Sequence, residues 1–207
     1  MSVLGVTIQN GYSVCMPRLT EASSQARRDE IVSAAIRVME RKGIARTAIA
    51  DISSESGLST GSIYSHFESK AQIALYAANA VIGAREAHIA AAGGEPRSPW
   101  DLVAGFLRGF DDDGTPASVV LQMWAEAAVD PEMKQLITHI VGRIRRAYEE
   151  ALGPWVAEHP GTDAADLSLH MVALAQGYIV QRAFGVKTTF EEYSVGLRAV
   201  LGGDSAV

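Results

Sequence analysis

Apolar residues settle into a sustained pattern only from Arg27 onward, after an opening stretch that shows no periodicity. Ile31, Ala34, Ala35, Val38 and Met39 recur at i, i+3, i+4, i+7 and i+8, one face of a helix, and Gly43 supplies its stop. Beyond Gly43 the start and stop signals keep recurring at helical spacing. Thr47 is placed to cap a short helix through Ser56 with Ile49 and Ile52 turned inward; Gly57 permits a left-handed turn; Ser59 caps a second short helix carrying Ile63 and Phe67. Ser69 and Gln72 form an S-x-x-Q capping box for a long helix ending near Gly93 and Gly94. Ser98-Pro99, Thr115-Pro116 and Asp130-Pro131 each set a cap residue before a proline at the first helical position, where its missing N–H costs nothing. Thr162 opens a helix that should stop at Gly185, and Thr189 with Glu192 makes a further capping box. No stretch alternates as a strand between hairpin turns, so the pattern predicts an all-α protein of about nine helices.

Two of these helices say more than their length. From Asp130 to Leu152, Met133, Leu136, Ile137, Ile140, Val141, Ile144, Ala147, Tyr148 and Ala151 share a face. From Thr162 to Phe184, Leu167, Met171, Leu174 and Tyr178 form one apolar stripe, while Ala173 and Gly177 give a second side of small residues. A helix apolar on two sides is buried on two sides. Paired with its long predecessor, it meets the needs of a homodimer built as a four-helix bundle; burial within one subunit is the alternative.

At 207 residues and 48% hydrophobic content, the chain is long enough to bury a sizeable core. Its single cysteine, Cys15, allows no internal disulfide and no cysteine pair for zinc. The first positive charge is Arg18, so the opening has no basic leader region, and no apolar run is long enough to span a bilayer. A cytoplasmic protein with no membrane partner is expected. The net charge of -6 is unevenly spread. Residues 24 to 72 carry seven Lys/Arg against six Asp/Glu, whereas residues 73 to 207 carry ten against seventeen. A near-neutral N-terminal unit on an acidic body can touch nucleic acid through a few placed contacts, not through bulk charge.

The two short helices between Gly43 and Ser69, joined by a glycine turn, have the layout of a helix-turn-helix, whose second helix enters the DNA major groove. Thr60, Gly61 and Ser62 are small enough for close approach, and hydroxyls can bond base edges and phosphates. Gly61 in a first helical turn costs up to about 1 kcal/mol against alanine, which points to close approach there. Residues 27 to 77 resemble the DNA-binding domain of the tetracycline-repressor (TetR) family of bacterial regulators. The resemblance rests on Ile31, Ala35, Gly43, Thr47, Ile52, Gly57, Leu58, Ser59, Gly61, Tyr64, Phe67 and Lys70. It implies phosphate-binding hydroxyls at Thr47 and Tyr64 and a phosphate-binding Lys70. It also places Ser59, Thr60, Gly61, Ser62 and Ser65 at the recognition helix, with His66 near the DNA backbone. Simpler roles stay open: a packing aromatic at Tyr64, a structural partner at His66, a solvated helix-end charge at Lys70. Ala48 departs from a frequent Thr or Ser, and Ser53 from a usual alanine, which sets a hydroxyl near the domain core.

The resemblance further implies a division into a flexible arm (1 to 22), a helix-turn-helix domain (23 to 72) and a ligand-binding and dimerisation domain (73 to 207). "LQMWAEAAVDPEMKQL", residues 121 to 136, is similar to a segment of some members but names no ligand. Candidate pocket residues are Phe106, Phe110, Met123, Trp124, Tyr148 and Tyr178, with Gln122, Glu126, His139, Gln176 and Arg182 as polar anchors. The same residues are compatible with a plain core. His139 and His170 lack a second ligand at metal-binding spacing, and no cofactor is expected. The run Asp111-Asp112-Asp113-Gly114 has the wrong alternation for a calcium loop, with Gln122 where its glutamate should stand, and reads as a solvated loop. There is no phosphate-cradling glycine loop, no G-x-S-x-G and no Cys/His pair, so an enzyme is not indicated. The expected function is a homodimeric repressor released from an inverted-repeat DNA operator by a small-molecule effector. The alternative is a DNA-bound structural or division-site protein of the same fold without an inducer.

Overall fold

The computed structural model describes residues 21 to 90, 96 to 112, 114 to 186 and 190 to 201. Among the described residues the chain forms α1 (Glu21–Lys42), α2 (Ile49–Ser56), α3 (Thr60–Tyr64), α4 (Lys70–Ala90), α5 (Pro99–Asp112), α6 (Ala117–Ala127), α7 (Pro131–Glu158), α8 (Ala164–Ala183) and α9 (Phe190–Leu201), with no strand. The first helix begins at Glu21, two residues inside the expected arm. The Thr189 box and the glycine stop after α4 lie outside the described residues.

Local capping explains most helix starts. Ser59 Oγ accepts the Ser62 amide at 3.1 Å, Asp130 Oδ1 accepts that of Met133 at 2.7 Å, and Ser98 Oγ accepts that of Asp101 at 3.2 Å. Ser69 Oγ accepts from Gln72 N at 3.1 Å, while the Gln72 side chain reaches one residue past the cap, to the amide of Glu68 at 2.7 Å. Three starts differ from expectation. Thr47 does not cap α2: its hydroxyl donates to the Gly43 carbonyl at 2.8 Å, and the cap is Ala48, whose amide is held by the Asp51 carboxylate at 3.0 Å. The cap of α6 is Pro116 rather than Thr115. At α8 it is Asp163, which accepts two amides at 2.9 Å, while Thr162 closes the preceding turn by donating to His159 O. Helix α7 runs past Leu152 and through Pro154 to Glu158.

Two cores result. One gathers Ile31, Ala35, Met39, Ile52 and Ile63 from the N-terminal helices and Phe67 from the connection between α3 and α4. The other gathers Trp100, Leu102, Phe106, Leu107, Ile140, Tyr148, Met171 and Tyr178. Helices α4 and α6 belong to both. Ile73, Ala74, Ala77 and Ala78 of α4 pack in the first core and Val81 and Ile82 in the second; on α6, Val119, Met123 and Ala127 face the first and Val120 the second. The expected division at residue 72 therefore falls in the first turn of a helix that is common to both units.

Candidate nucleic-acid interface and effector cavity

The turn between α2 and α3 is fixed from inside. Gly57 sits at φ 72°, a conformation that residues with a Cβ rarely adopt, and Ser53 Oγ donates across the turn to the Leu58 carbonyl at 2.5 Å. The hydroxyl that the sequence sets near the core is thereby satisfied. Ile52 and Ile63 are fully buried and Phe67 nearly so, edge-on to Tyr76 at 5.5 Å. With that face held, α3 turns Thr60, Gly61 and Tyr64 outward beside its cap Ser59, and Ser65 follows, also exposed. Tyr64 is 56% exposed, which removes the packing-aromatic alternative. Around Gly61 the protein leaves open space, because an added Cβ would meet only Ser59 Oγ at 3.9 Å. Ser65 Oγ donates to Ser62 O at 2.7 Å; Ser62 and His66 are half-buried.

Thr47 and Lys70 stand differently. Thr47 is buried, with its hydroxyl proton on Gly43. Lys70 Nζ donates to the carbonyls of Ile44 at 3.2 Å and Ala45 at 3.1 Å, so it ties α4 to the turn before α2 rather than standing as a solvated helix end. On the other side of that turn the Ile44 amide donates to Gln122 Oε1 of α6 at 2.7 Å. Gln122, an expected pocket anchor, is instead a bridge between the two cores. Gly43 precedes this bridge at φ 85°, and a Cβ there would come within 3.3 Å of the same Gln122 oxygen.

Most cations of this unit are already paired. Arg37 and Arg41 reach Glu55 at 2.7 and 2.5 Å, Lys42 reaches Asp51 at 2.5 Å, and Arg27 reaches Glu30 at 2.6 Å. The Arg37 and then the Arg41 hydrogen bond hold the Glu55 carboxyl below its usual pKa, and that of Lys42, with the Ala48 amide, does so for Asp51. Arg46, exposed beside Thr47, is a cation that the sequence reading passed over; its position on the turn is the only signal it carried.

In the second core, Phe106, Phe110, Trp124 and Tyr148 surround a cavity of about 40 Å³, closed by Val81, Ile82, Val120, Ile144, Ile179 and Gln176. The other two pocket candidates are elsewhere. Met123 is one residue from Trp124, about 100° round the helix, and is buried in the first core. The Tyr178 hydroxyl donates to Asp111 Oδ2 at 2.6 Å, and Arg182 Nε lies 3.6 Å from the same carboxylate. Asp111 is thus half-buried and engaged at the end of α5, which corrects the solvated-loop reading for that residue; Asp113 lies outside the described residues. Arg182 is likewise away from the cavity. Glu126 borders a groove with Lys70, and His139 one with Tyr76. No cluster of metal-ligating side chains occurs among the described residues.

This geometry defines a helix-turn-helix protein with a helical body, and comparison with known proteins agrees. Residues 31–77 match the model of bacterial regulatory proteins of the tetR family, and residues 102–194 that of the BetI-type transcriptional repressor C-terminal domain. The chain belongs to the TetR family. Over 58 residues, 28% of each chain, it is 41% identical to the HTH-type transcriptional regulator TtgR of Pseudomonas putida. That match spans less than a third of the relative's length. The HTH-type transcriptional regulator BetI of Burkholderia thailandensis is 25% identical over 169 residues, 78% of this chain and 83% of that one. Among solved structures, the fold is shared with a Saccharomonospora viridis protein in complex with choline (TM-score 0.70, 22% identity, 87% of this chain and 97% of that one). It is shared also with the regulator FadR of Bacillus subtilis in complex with stearoyl-CoA (TM-score 0.70, 15% identity, 84% and 97%).

Proposed function

We propose that the protein is a cytoplasmic transcriptional regulator that, as a homodimeric repressor, binds an inverted-repeat operator through α3 and is released by a small molecule. The observation that carries this reading is the α3 surface. Ser59, Thr60, Gly61, Tyr64 and Ser65 stand out together on a helix whose opposite face is locked into a core, so small hydroxyl groups can approach base edges without reorganisation. Tyr64 and the remaining donor of Lys70 take phosphates, while Thr47, held from behind by Gly43, positions the start of α2.

Dimerisation is supported by α8. Its Gly177 side packs under Tyr193 of α9, whose hydroxyl donates to Leu174 O at 2.8 Å, so that part of the second face is buried within the subunit. Leu169 and Ala173 of α8 and its cap residue Phe184, on either side of the covered Gly177, remain exposed, at 51% for Leu169 and 72% for Phe184. An apolar surface of that kind is what a second copy would cover.

Release follows from the shared helices. Val81 and Ile82 of α4 and Val120 and Trp124 of α6 wall the cavity, and the same helices hold the turn before α2 through Lys70 and Gln122. A ligand that enlarges the cavity moves these walls and, through them, the α2–α3 unit. Effector and operator then weaken each other's binding by the same factor. Footprinting on the DNA flanking the protein's own gene tests the reading: two protected half-sites about one helical turn apart are expected, and no protected site would refute it.

A further inference from the structure

The start of α2 lacks the hydroxyls that the family resemblance assigns to phosphate binding there. Thr47 is buried with its hydroxyl donated to Gly43 O, and Ala48 beside it has no hydroxyl to offer. The Asp51 carboxylate stands at the same helix start, on the Ala48 amide, with Lys42 Nζ neutralising it from 2.5 Å. One residue before Thr47, Arg46 is exposed. Its Nε donates to the Lys42 carbonyl at 2.8 Å, which ties the side chain to the end of α1. Among the described residues its terminal nitrogens have no hydrogen-bond acceptor and no carboxylate.

We propose that Arg46 grips a DNA phosphate in place of the hydroxyls missing from the start of α2. This role rests on reading the chain as a DNA-binding regulator. Three observations single out Arg46 from the other cations of the N-terminal unit. Arg27, Arg37, Arg41 and Lys42 would have to give up a carboxylate to meet a phosphate, whereas Arg46 gives up none. Arg28 likewise has no carboxylate among the described residues, but it is half-buried on α1 with its Nε enclosed. Arg46 also shares its turn with Lys70, whose Nζ sits on the carbonyls of Ile44 and Ala45, so two cations stand on one strip of backbone leading into α2. With Nε anchored, the edge between the terminal nitrogens is free to take two oxygens of one phosphate. Part of the side-chain ordering that such a contact costs is thereby already met in the free protein.

Two substitutions separate this role from a purely structural one, the capping of α1. Glutamine carries a donor nitrogen at the position of Nε, so Arg46→Gln keeps the means to bond Lys42 O while losing the charge. Arg46→Lys keeps the charge and loses the Nε donor. Anisotropy of the full-length protein is read across salt on DNA flanking its own gene and on random DNA of equal length. Arg46→Gln should bind both DNAs about tenfold more weakly, with the log–log salt slope reduced in magnitude by about 0.9 for each subunit that engages a phosphate. Arg46→Lys should keep the native slope. The proposal is overturned if Arg46→Gln keeps the native slope, if its loss is confined to the flanking DNA, or if Arg46→Lys is the weaker binder of the two. Native protein that binds both DNAs equally removes the operator reading, and the slopes on random DNA still decide the role of Arg46. Native protein that binds neither DNA at low salt removes both.

Discussion

Replacing Gln122 with alanine probes the side-chain hydrogen bond that crosses from α6 to the turn before α2. In the native chain the Ile44 amide lies 2.7 Å from Gln122 Oε1, and Ile44 itself is buried. Alanine leaves that amide without an acceptor in a site that water reaches poorly, at a cost of about 1–3 kcal/mol. The Ile44 carbonyl keeps its bond to Lys70 and Thr47 N its bond to Ile44 O, so the turn should loosen without unfolding. Native-state amide exchange reads this directly: protection at Ile44 should fall by about tenfold, the equivalent of about 1.4 kcal/mol. Operator affinity should drop by no more than the same factor, since the α3 surface is untouched. Gln122→Glu keeps an acceptor oxygen in place and should restore most of the protection. Ile44 exchange unchanged within twofold in the alanine variant would refute the bridge, and with it the route from cavity to α2.

Three further outcomes are expected. Phe184→Asp puts a charge on the exposed α8 surface and should shift the protein from dimer to monomer in sedimentation at micromolar concentration, with α-helical content unchanged; a dimer that persists would remove α8 from the interface. Lys70→Gln should lower the magnitude of the log–log salt slope of operator binding by about 0.9 for each subunit that engages a phosphate. For the ion pairs, the folded carboxyl pKa values are depressed, so their stabilisation is present above the ordinary values of 4.5 for Glu55 and 3.8 for Asp51 and is lost as pH falls through the lower folded values. Far-UV circular dichroism should therefore show acid loss of helix beginning below pH 4.5, with a shallower acid limb in Glu55→Gln.

The sequence makes visible what local chemistry decides. Ser59, Ser98 and Asp130 announce their helices because a cap oxygen and its amide are three residues apart, and the periodicity around Ile31 and Ile63 separates buried from exposed faces. The one-residue shifts at Thr47 and Thr162 have a physical cause. A threonine next to a turn can donate to a carbonyl behind it, as Thr47 and Thr162 do, leaving the cap to Ala48 or to Asp163. The sequence pattern ends the long helix at Leu152, yet α7 continues through Pro154, with Trp155 and His159 stacked at 3.8 Å at its C-terminal end.

The site was legible only in part for the same reason. The exposed α3 surface follows from one short segment. The cavity does not, because Met123 and Trp124 are equally apolar and only tertiary packing sends one into each core. The Gln122 bridge joins residues 78 apart and leaves no local signature at all.

The central claim is that α3 recognises a DNA site with Tyr64 on the backbone. Fluorescence anisotropy with DNA flanking the protein's own gene and with random DNA of equal length, across salt, tests it most directly for the native chain and Tyr64→Phe. The account predicts a site preference for the native chain. In the mutant it predicts a loss of about five- to tenfold that is equal on both DNAs, as removal of one phosphate hydrogen bond requires. Equal affinity of the native chain for both DNAs at low salt would contradict it.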